Sequence, residues 1–457
     1  MPATGAKVSE PESFARFIAR YCERTRGSKA YRQTFRNVLA DSRASAGFRR
    51  SLKEIQYPIV GSRAAGSHVW DIDGNAYVDI AMGFGVQLFG HDAAFIRDAL
   101  HEQLTKGLYL GPQAPLAGEV ARQICAMTGV ERVCFCNTGT EAVMTSLRLA
   151  RAATRRNKIA MFKWSYHGHF DETLGRPRLD GGQNRTVPLA PGVSPKFVDH
   201  VVMLDYGEPA SFKALDPVRD ELSAVIVEPV QGMRPHVQPK AFLHELRRWC
   251  DRHEVVLIFD EILVGFRIQP GGAQAHFGVE ADLVTYGKIV GGGLPIGVVA
   301  GKAKYMNALD GGPWSFGDDS RPAGGRTFFA GTFNKNPLGM AAARAVLSKL
   351  DEEGARLQDR LNHRTERFAA QMNRFFRAKG IPVTVAHFGS LFRFMSAVNL
   401  DPFFSRLLDK GVFVWEGRSC FFSTAHTDED IGFVAAAVKE AALHLRKNAR
   451  AHPSGPD

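Results

Sequence analysis

The chain has 457 residues, 45% hydrophobic and 23% charged, which excludes disorder and fibrous repeats and leaves apolar mass for several domains' worth of core. No run of about 18 apolar residues occurs, and MPATGAKVSEPESFARF at the start lacks the short apolar stretch of a secretory signal, so a cytoplasmic protein with no membrane partner is expected. Six cysteines without a CxxC pair indicate neither a disulfide framework nor a zinc site; most are expected to be buried small apolar residues, and no metal is expected.

The formal net charge of +11 is uneven, because residues 1–60 hold 12 Lys and Arg against five Asp and Glu. Phe14, Phe17, Ile18 and Tyr21 recur at helical spacing between these charges, which reads as a solvated amphipathic helix. The same basic face could attract a phosphate-bearing substrate or an acidic protein; no nucleic-acid motif accompanies it, and no nucleic acid is expected. Next, VWDIDGNAYVDIA alternates strand formers around a turn at Asp73, Gly74 and Asn75, predicting a hairpin. From about residue 93 to 300, short apolar runs (VCFC, IAMF, AVIVEP, VVLIFDE, LVTYGK) alternate with helical patterns. That rhythm predicts an α/β fold, a mostly parallel sheet flanked by helices. Residues 310–331 are rich in Gly, Pro and Asp and read as a long loop; NPLGMAAARAVLSKL then opens a helix, and the rest reads as a smaller α/β C-terminal domain closing with a helix from about Asp428 to Lys447. The expected division is 1–92, an N-terminal helical segment and hairpin; 93–330, a large domain; and 331–457, a small domain.

Ligands of such sheets sit beyond the carboxyl ends of the strands, so the residues after each run are the candidates for chemistry. After VCFC come Thr138, Gly139 and Thr140 at a helix N-terminus, a seat for a phosphate; Thr140 could equally be the cap. Asp260 ends an apolar strand, where an ionised carboxylate needs a cationic partner or several donors, although a lone strand-end Asp is also a common turn residue. Lys288 lies between a strand and a glycine run; apolar surroundings would make its amine a nucleophile, whereas a solvated lysine would simply snorkel. Tyr166, in SYHG, could pack in the core or stack on a planar ring. A phosphate cradle, an aromatic cover, an anion for a ring nitrogen and an amine for an aldehyde are together the needs of pyridoxal 5'-phosphate.

NTGTEA, SYHGH, EPVQG, FDEILVGFR, YGKIVGGGLPIG and FAGTFNKNP occur in order and approximate spacing as in fold-type I, class III aminotransferases, and the chain resembles their glutamate-1-semialdehyde aminomutase branch. From about residue 12 to 440 it also resembles the aminotransferase domains of mixed polyketide–peptide synthases. The resemblance implies a pyridoxal-phosphate-dependent transferase in which Lys288 takes the cofactor's aldehyde, Asp260 pairs with the ring nitrogen, and Tyr166 stacks on the ring. It also implies that Thr138, Gly139 and Thr140 bind the phosphate and that Glu228 lies near the cofactor. Thr332 would reach the phosphate of a neighbouring subunit, which implies a homodimer with shared sites. Two positions depart from the family: Val264, where many relatives have Thr, and Leu263, where some place Gln. The implied activity is ping-pong transamination from an amino donor to a ketone or aldehyde, of the β-ketoacyl kind in secondary metabolite biosynthesis if the synthase likeness is followed. An acidic acyl carrier protein would then suit the basic N-terminal stretch. Of Arg63, Arg267 and Arg418, the last is the preferred ligand for a substrate carboxylate. The alternatives are an aminomutase, which uses the same cofactor motifs, and a non-catalytic carrier-binding scaffold, which would have no need of Lys288 opposite Asp260. Gly291-Gly292-Gly293 lacks the spacing of a nicotinamide-binding fingerprint.

Overall fold

The computed structural model describes residues 14–42, 48–180 and 183–451. Residues beyond 451, and the parts of the basic segment at 1–13 and 43–47, lie outside the described residues. Strands are numbered in chain order. The hairpin forms as predicted: β1 (Gly61–Ala65), β2 (His68–Asp71) and β3 (Ala76–Asp79) pair antiparallel. Its turn is organised by Asp71, whose carboxylate accepts from the backbone N–H of Asp73 (3.0 Å) and Asn75 (2.8 Å) and from the Tyr77 hydroxyl (2.8 Å).

The main sheet comprises β4 (Arg132–Cys136), β5 (Lys158–Phe162), β8 (Val201–Leu204), β9 (Leu222–Val227), β10 (Val256–Asp260), β11 (Leu283–Gly287) and β12 (Gly297–Gly301). Their order is β4-β12-β11-β10-β9-β5-β8, and only β12 runs against its neighbours. The separate β6 (Gly175–Asp180) and β7 (Gln183–Pro188) form a two-stranded ribbon. Successive strand side chains point to opposite faces, and here both faces are covered, which is why β9 to β11 read as mostly apolar runs. Ala224, Ile226, Val256 and Ile258 pack under the helix Gly139–Thr154 with Val143 and Leu147. Val225, Val227, Leu257 and Phe259 pack on the other face with Leu243 and Leu246 of the helix Lys240–His253 and Val346 and Leu350 of the helix Pro337–Glu353.

A second core joins the two chain ends. Phe17 and Tyr21, on the helix Phe14–Arg24, share it with Phe368, Phe392, Phe403 and Val438. Those residues come from the helices Ala355–Lys379, Asp401–Asp409 and Asp428–Ala451 and from the sheet of β13 (Thr384–Phe388), β14 (Leu391–Met395) and β16 (Cys420–Phe421). The remaining strand, β15 (Val412–Phe413), joins β3 in parallel. Two of the basic residues on the first helix are engaged within the chain: Arg20 pairs with Asp409 at 2.7 Å, and Arg24 donates to the Asp409 carbonyl. The amphipathic-helix reading thus describes this face.

No helix or strand occurs within residues 311–336, so the loop predicted at 310–331 runs on to Asn336, which caps the helix that follows, accepting from the N–H of Leu338 at 3.0 Å. The last helix continues to Ala451, beyond the predicted end. Three cysteines are buried (Cys136, Cys250, Cys420) and three partly so, fewer buried than expected. Among the described residues no helix is long and apolar enough to cross a membrane.

Candidate active site

The carboxyl ends of β10 and β11 bring the two central candidates together. The strands pair in parallel with Asp260 opposite Thr285, and Lys288 follows three residues later in the turn Lys288–Gly291. Asp260 is 4% exposed and fully engaged. Its Oδ2 lies 2.7 Å from His167 Nδ1, and its Oδ1 accepts from the Thr285 hydroxyl at 3.1 Å and the Ile262 N–H at 3.2 Å. Because a carboxylate only accepts, the His167 proton sits on Nδ1. Lys288 is half-buried rather than a solvated surface residue, with φ of +45°. Burial pulls its amine below the ordinary lysine value, with Asp260 and Glu228 pulling up and Arg267 pushing down.

At the end of β4, the helix Gly139–Thr154 begins. Its cap is Thr138, whose hydroxyl accepts from the Glu141 N–H at 3.2 Å, so Thr140 is not the cap. Thr138 retains its hydroxyl proton for donation, and the Gly139 and Thr140 N–H groups are among those a helix start leaves without intrahelical partners. Thr140 Oγ1 lies 3.3 Å from His169 Nδ1. An added Cβ at Gly139 would come 2.7 Å from Ile262 Cδ1, so a larger residue there would make the end of that side chain shift.

Tyr166 stands on the loop after β5 and is 61% exposed, so it is not a core residue. Its backbone N–H donates to Glu228 Oε2 at 3.0 Å, and the other oxygen of Glu228 accepts from Gly232 at 3.3 Å. Burial pushes Glu228 up to about 7, Asp260 adding to the rise and His167 opposing it. Gly232 in turn meets the loop at residues 415–419, because its carbonyl accepts from the Ser419 hydroxyl at 2.7 Å. Arg418 is exposed on that loop, beside Trp415, whose ring meets Phe84 edge-on at 4.7 Å. Arg63 lies elsewhere, stacked 3.8 Å over Trp70, and Arg267 is fully buried. Thr332 is exposed, two residues before Asn334, whose Oδ1 accepts from Asn137 at 3.0 Å. Leu263 packs with Met82, Leu391 and Phe421, and Val264 is buried in the main core.

Residues 51–426 match the family described as Aminotransferase class-III. The chain belongs to the class III aminotransferase family. It is 34% identical over 405 residues to a glutamate-1-semialdehyde 2,1-aminomutase of Archaeoglobus fulgidus, covering 84% of this chain and 93% of that one. It is 36% identical over 396 residues to the same-named protein of Desulfovibrio desulfuricans, covering 82% and 89%. A solved structure described as a transaminase with PLP bound superposes with a TM-score of 0.81 at 25% identity, covering 93% of this chain and 99% of that one.

As a class III aminotransferase the chain has the fold-type I transferase architecture, is an enzyme, and takes pyridoxal phosphate as cofactor. The donor set fits that molecule: a fixed buried carboxylate, an amine on the neighbouring strand end, and unpaired N–H groups at a helix start. Sequence reasoning missed His167. It lies beside Tyr166 in SYHG, is 1% exposed, and is the partner that the carboxylate argument demanded. The signal was present, since a strand-end Asp in apolar surroundings calls for a cation or donor, and a histidine stood in the loop after another strand of the same sheet.

Proposed function

We propose that this aminotransferase moves an amino group from a small-molecule donor to a ketone or aldehyde, with Lys288 and Asp260 as the catalytic residues. Asp260 and Lys288 at the ends of paired parallel strands, the acid locked by His167 and Thr285, are the observation that carries the reading. The Thr138 hydroxyl and the N–H groups of Gly139 and Thr140 would hold the phosphate, Tyr166 would cover the ring, Glu228 would lie beside it, and Lys288 would engage the aldehyde. When bound, pyridoxal phosphate supplies a ring that accommodates the negative charge left on a carbon after its proton departs. Asp260, fixed by three hydrogen bonds, would pair with the ring nitrogen and favour its protonated form. The Lys288 amine, whose proton affinity burial reduces, takes the proton from the carbon beside the substrate nitrogen and returns it elsewhere.

Arg418, at the exposed rim beside Trp415, is assigned to a substrate carboxylate. Thr332, exposed on its loop, is assigned to the phosphate of a partner subunit in a homodimer, which sedimentation would report. A β-ketoacyl acceptor on an acidic carrier in the cytoplasm extends the proposal; binding to a carrier that ignores salt would count against it. The three-part division at residues 92 and 330 is kept as part of the same proposal.

Purified protein should show the visible colour of bound cofactor and convert a donor–acceptor pair. Lys288→Ala should lose both, and retained turnover with unchanged colour would sink the assignment. The aminomutases at 34% and 36% identity favour a second reading, isomerisation of an amino aldehyde. The products decide: a mutase needs no separate donor and releases no keto product.

A further inference from the structure

The loop at residues 228–232, which follows β9, brackets the loop that carries Tyr166. Gln231 Nε2 donates to the Lys163 carbonyl at 2.7 Å and to Ser165 Oγ at 2.9 Å, and the Tyr166 N–H donates to Glu228 Oε2 at 3.0 Å. Both side chains of the bracket are buried, so a bond lost there is not replaced by one to water. Glu228 Oε1 closes the bracket on itself by accepting from the Gly232 N–H at 3.3 Å. Gly232 also lies close against Leu263, since an added Cβ would come 2.6 Å from Leu263 Cδ2, and Leu263 packs in turn with Met82, Leu391 and Phe421.

The free side of Gly232 is its carbonyl, and that is what the Ser419 hydroxyl binds at 2.7 Å. Ser419 ends the loop at 415–419, which two further bonds shape: the Arg418 N–H donates to the Trp415 carbonyl at 3.0 Å, and Arg393 Nη2 donates to the Gly417 carbonyl at 2.6 Å. Arg418 is the next residue along this loop. Tyr166 and Arg418, which come from distant parts of the chain, are thereby joined by one run of hydrogen bonds that passes from Ser419 through Gly232 and Glu228 to the Tyr166 backbone.

We propose that Ser419 is a positioning residue: its bond to Gly232 fixes the spacing between the side chain assigned to the substrate carboxylate and the ring assigned to cover the cofactor. The inference rests on the roles given to Arg418 and Tyr166 above. A substrate held at one end by Arg418 and reacting beneath Tyr166 needs the two at one separation, and a small misplacement of either slows the reaction. Ser419→Ala deletes one oxygen and leaves the other two bonds of its loop in place. In cofactor-free protein, hydrogen–deuterium exchange in peptides that span Tyr166 should quicken by about three- to tenfold, the worth of one uncharged hydrogen bond. In loaded protein, the dissociation constant for pyridoxal phosphate and the KM for a carboxylate-bearing substrate should each rise by about the same factor, although the Ser419 side chain bonds to neither Tyr166 nor Arg418. Ser419→Thr keeps the hydroxyl and should return all three readings to within about twofold of the parent. Unchanged exchange at Tyr166 in Ser419→Ala would overturn the proposal even if KM rose, because Ser419 would then shape only its own loop. A Ser419→Thr variant that behaves like Ser419→Ala would overturn it too. Parent protein that fails to bind pyridoxal phosphate would instead bring down the reading beneath it, while the exchange at Tyr166 would still report the link.

Discussion

Asp260, His167 and Thr285 form a cluster in which every member is buried and every contact is internal, whereas Tyr166, Thr332 and Arg418 stand in the open with their side chains free to meet a ligand. The difference separates two ways of fixing geometry. In the buried cluster the sheet register and the packed core set positions before anything binds, and removing one partner strands another in a poorly solvated place. If these exposed residues act as proposed, a ligand or a second subunit would complete the arrangement there, so substitutions at them should change what is bound while leaving the fold alone. Variants can test that contrast.

The largest effect is expected at Asp260. Asp260→Asn keeps the shape and can still accept from Thr285 and Ile262, but it cannot hold a proton on the ring nitrogen by charge. Turnover should fall on the order of a thousandfold, with little loss of stability. A loss under about tenfold would mean that the buried acid is structural, and the contrast with the rim would lose its chemical side. His167→Phe should come next, because it leaves Asp260 buried without its 2.7 Å partner. In cofactor-free protein, chemical denaturation should report a loss of about 3 kcal/mol. His167→Asn, whose amide can occupy the place of Nδ1, should recover part of it; equal losses in the two variants would show that the ring volume matters and not the hydrogen bond. At the rim, Arg418→Ala should raise KM for a carboxylate-bearing substrate by about ten- to a hundredfold, the worth of a hydrogen bond to a charged group, and should not move the melting temperature. A fall in stability with unchanged KM would place Arg418 among the structural residues.

The same contrast explains what could be read from the sequence. The strands that carry Asp260 and Lys288 are runs buried on both faces, so composition alone marks them and their ends. The phosphate seat was legible because a helix start leaves N–H groups free, yet which threonine caps it was not: Thr138 and Thr140 flank one glycine, and only backbone angles distinguish them. His167 was missed because it pairs with a residue 93 positions away, and the strand order, with β9 between β5 and β10, is needed to bring them together. Arg267 was weighed for a carboxylate and lies instead among uncharged acceptors from residues 85 and 390, separations that no local pattern reveals. That the first helix shares a core with Val438 is equally invisible to periodicity, which shows that a face is apolar and not what covers it.

The smallest expected effect sharpens the contrast within one dipeptide. Glu261, next to Asp260, is also buried at 2% exposure, but it turns away from the chemistry and binds the start of the helix Gly272–Phe277, accepting from the N–H of Ala273 at 2.6 Å and Gln274 at 2.9 Å. Burial raises it to about 7, the two N–H bonds working against the rise and Asp260 adding to it. An acid whose pKa is higher folded than unfolded binds its proton more tightly in the folded state. Its contribution is therefore complete below the ordinary value of 4.5 and is lost as pH climbs towards 7. Glu228 titrates in the same direction, so the cofactor-free parent should melt at a lower temperature at pH ~7.5 than at pH ~5. Glu261→Gln cannot ionise and offers one acceptor where two were used, so it should start lower at acid pH yet lose less on the way up, by roughly 2 to 4 °C. An identical decline in parent and variant would show that Glu261 is already ionised throughout that range, and that its two N–H donors outweigh the burial opposing its charge.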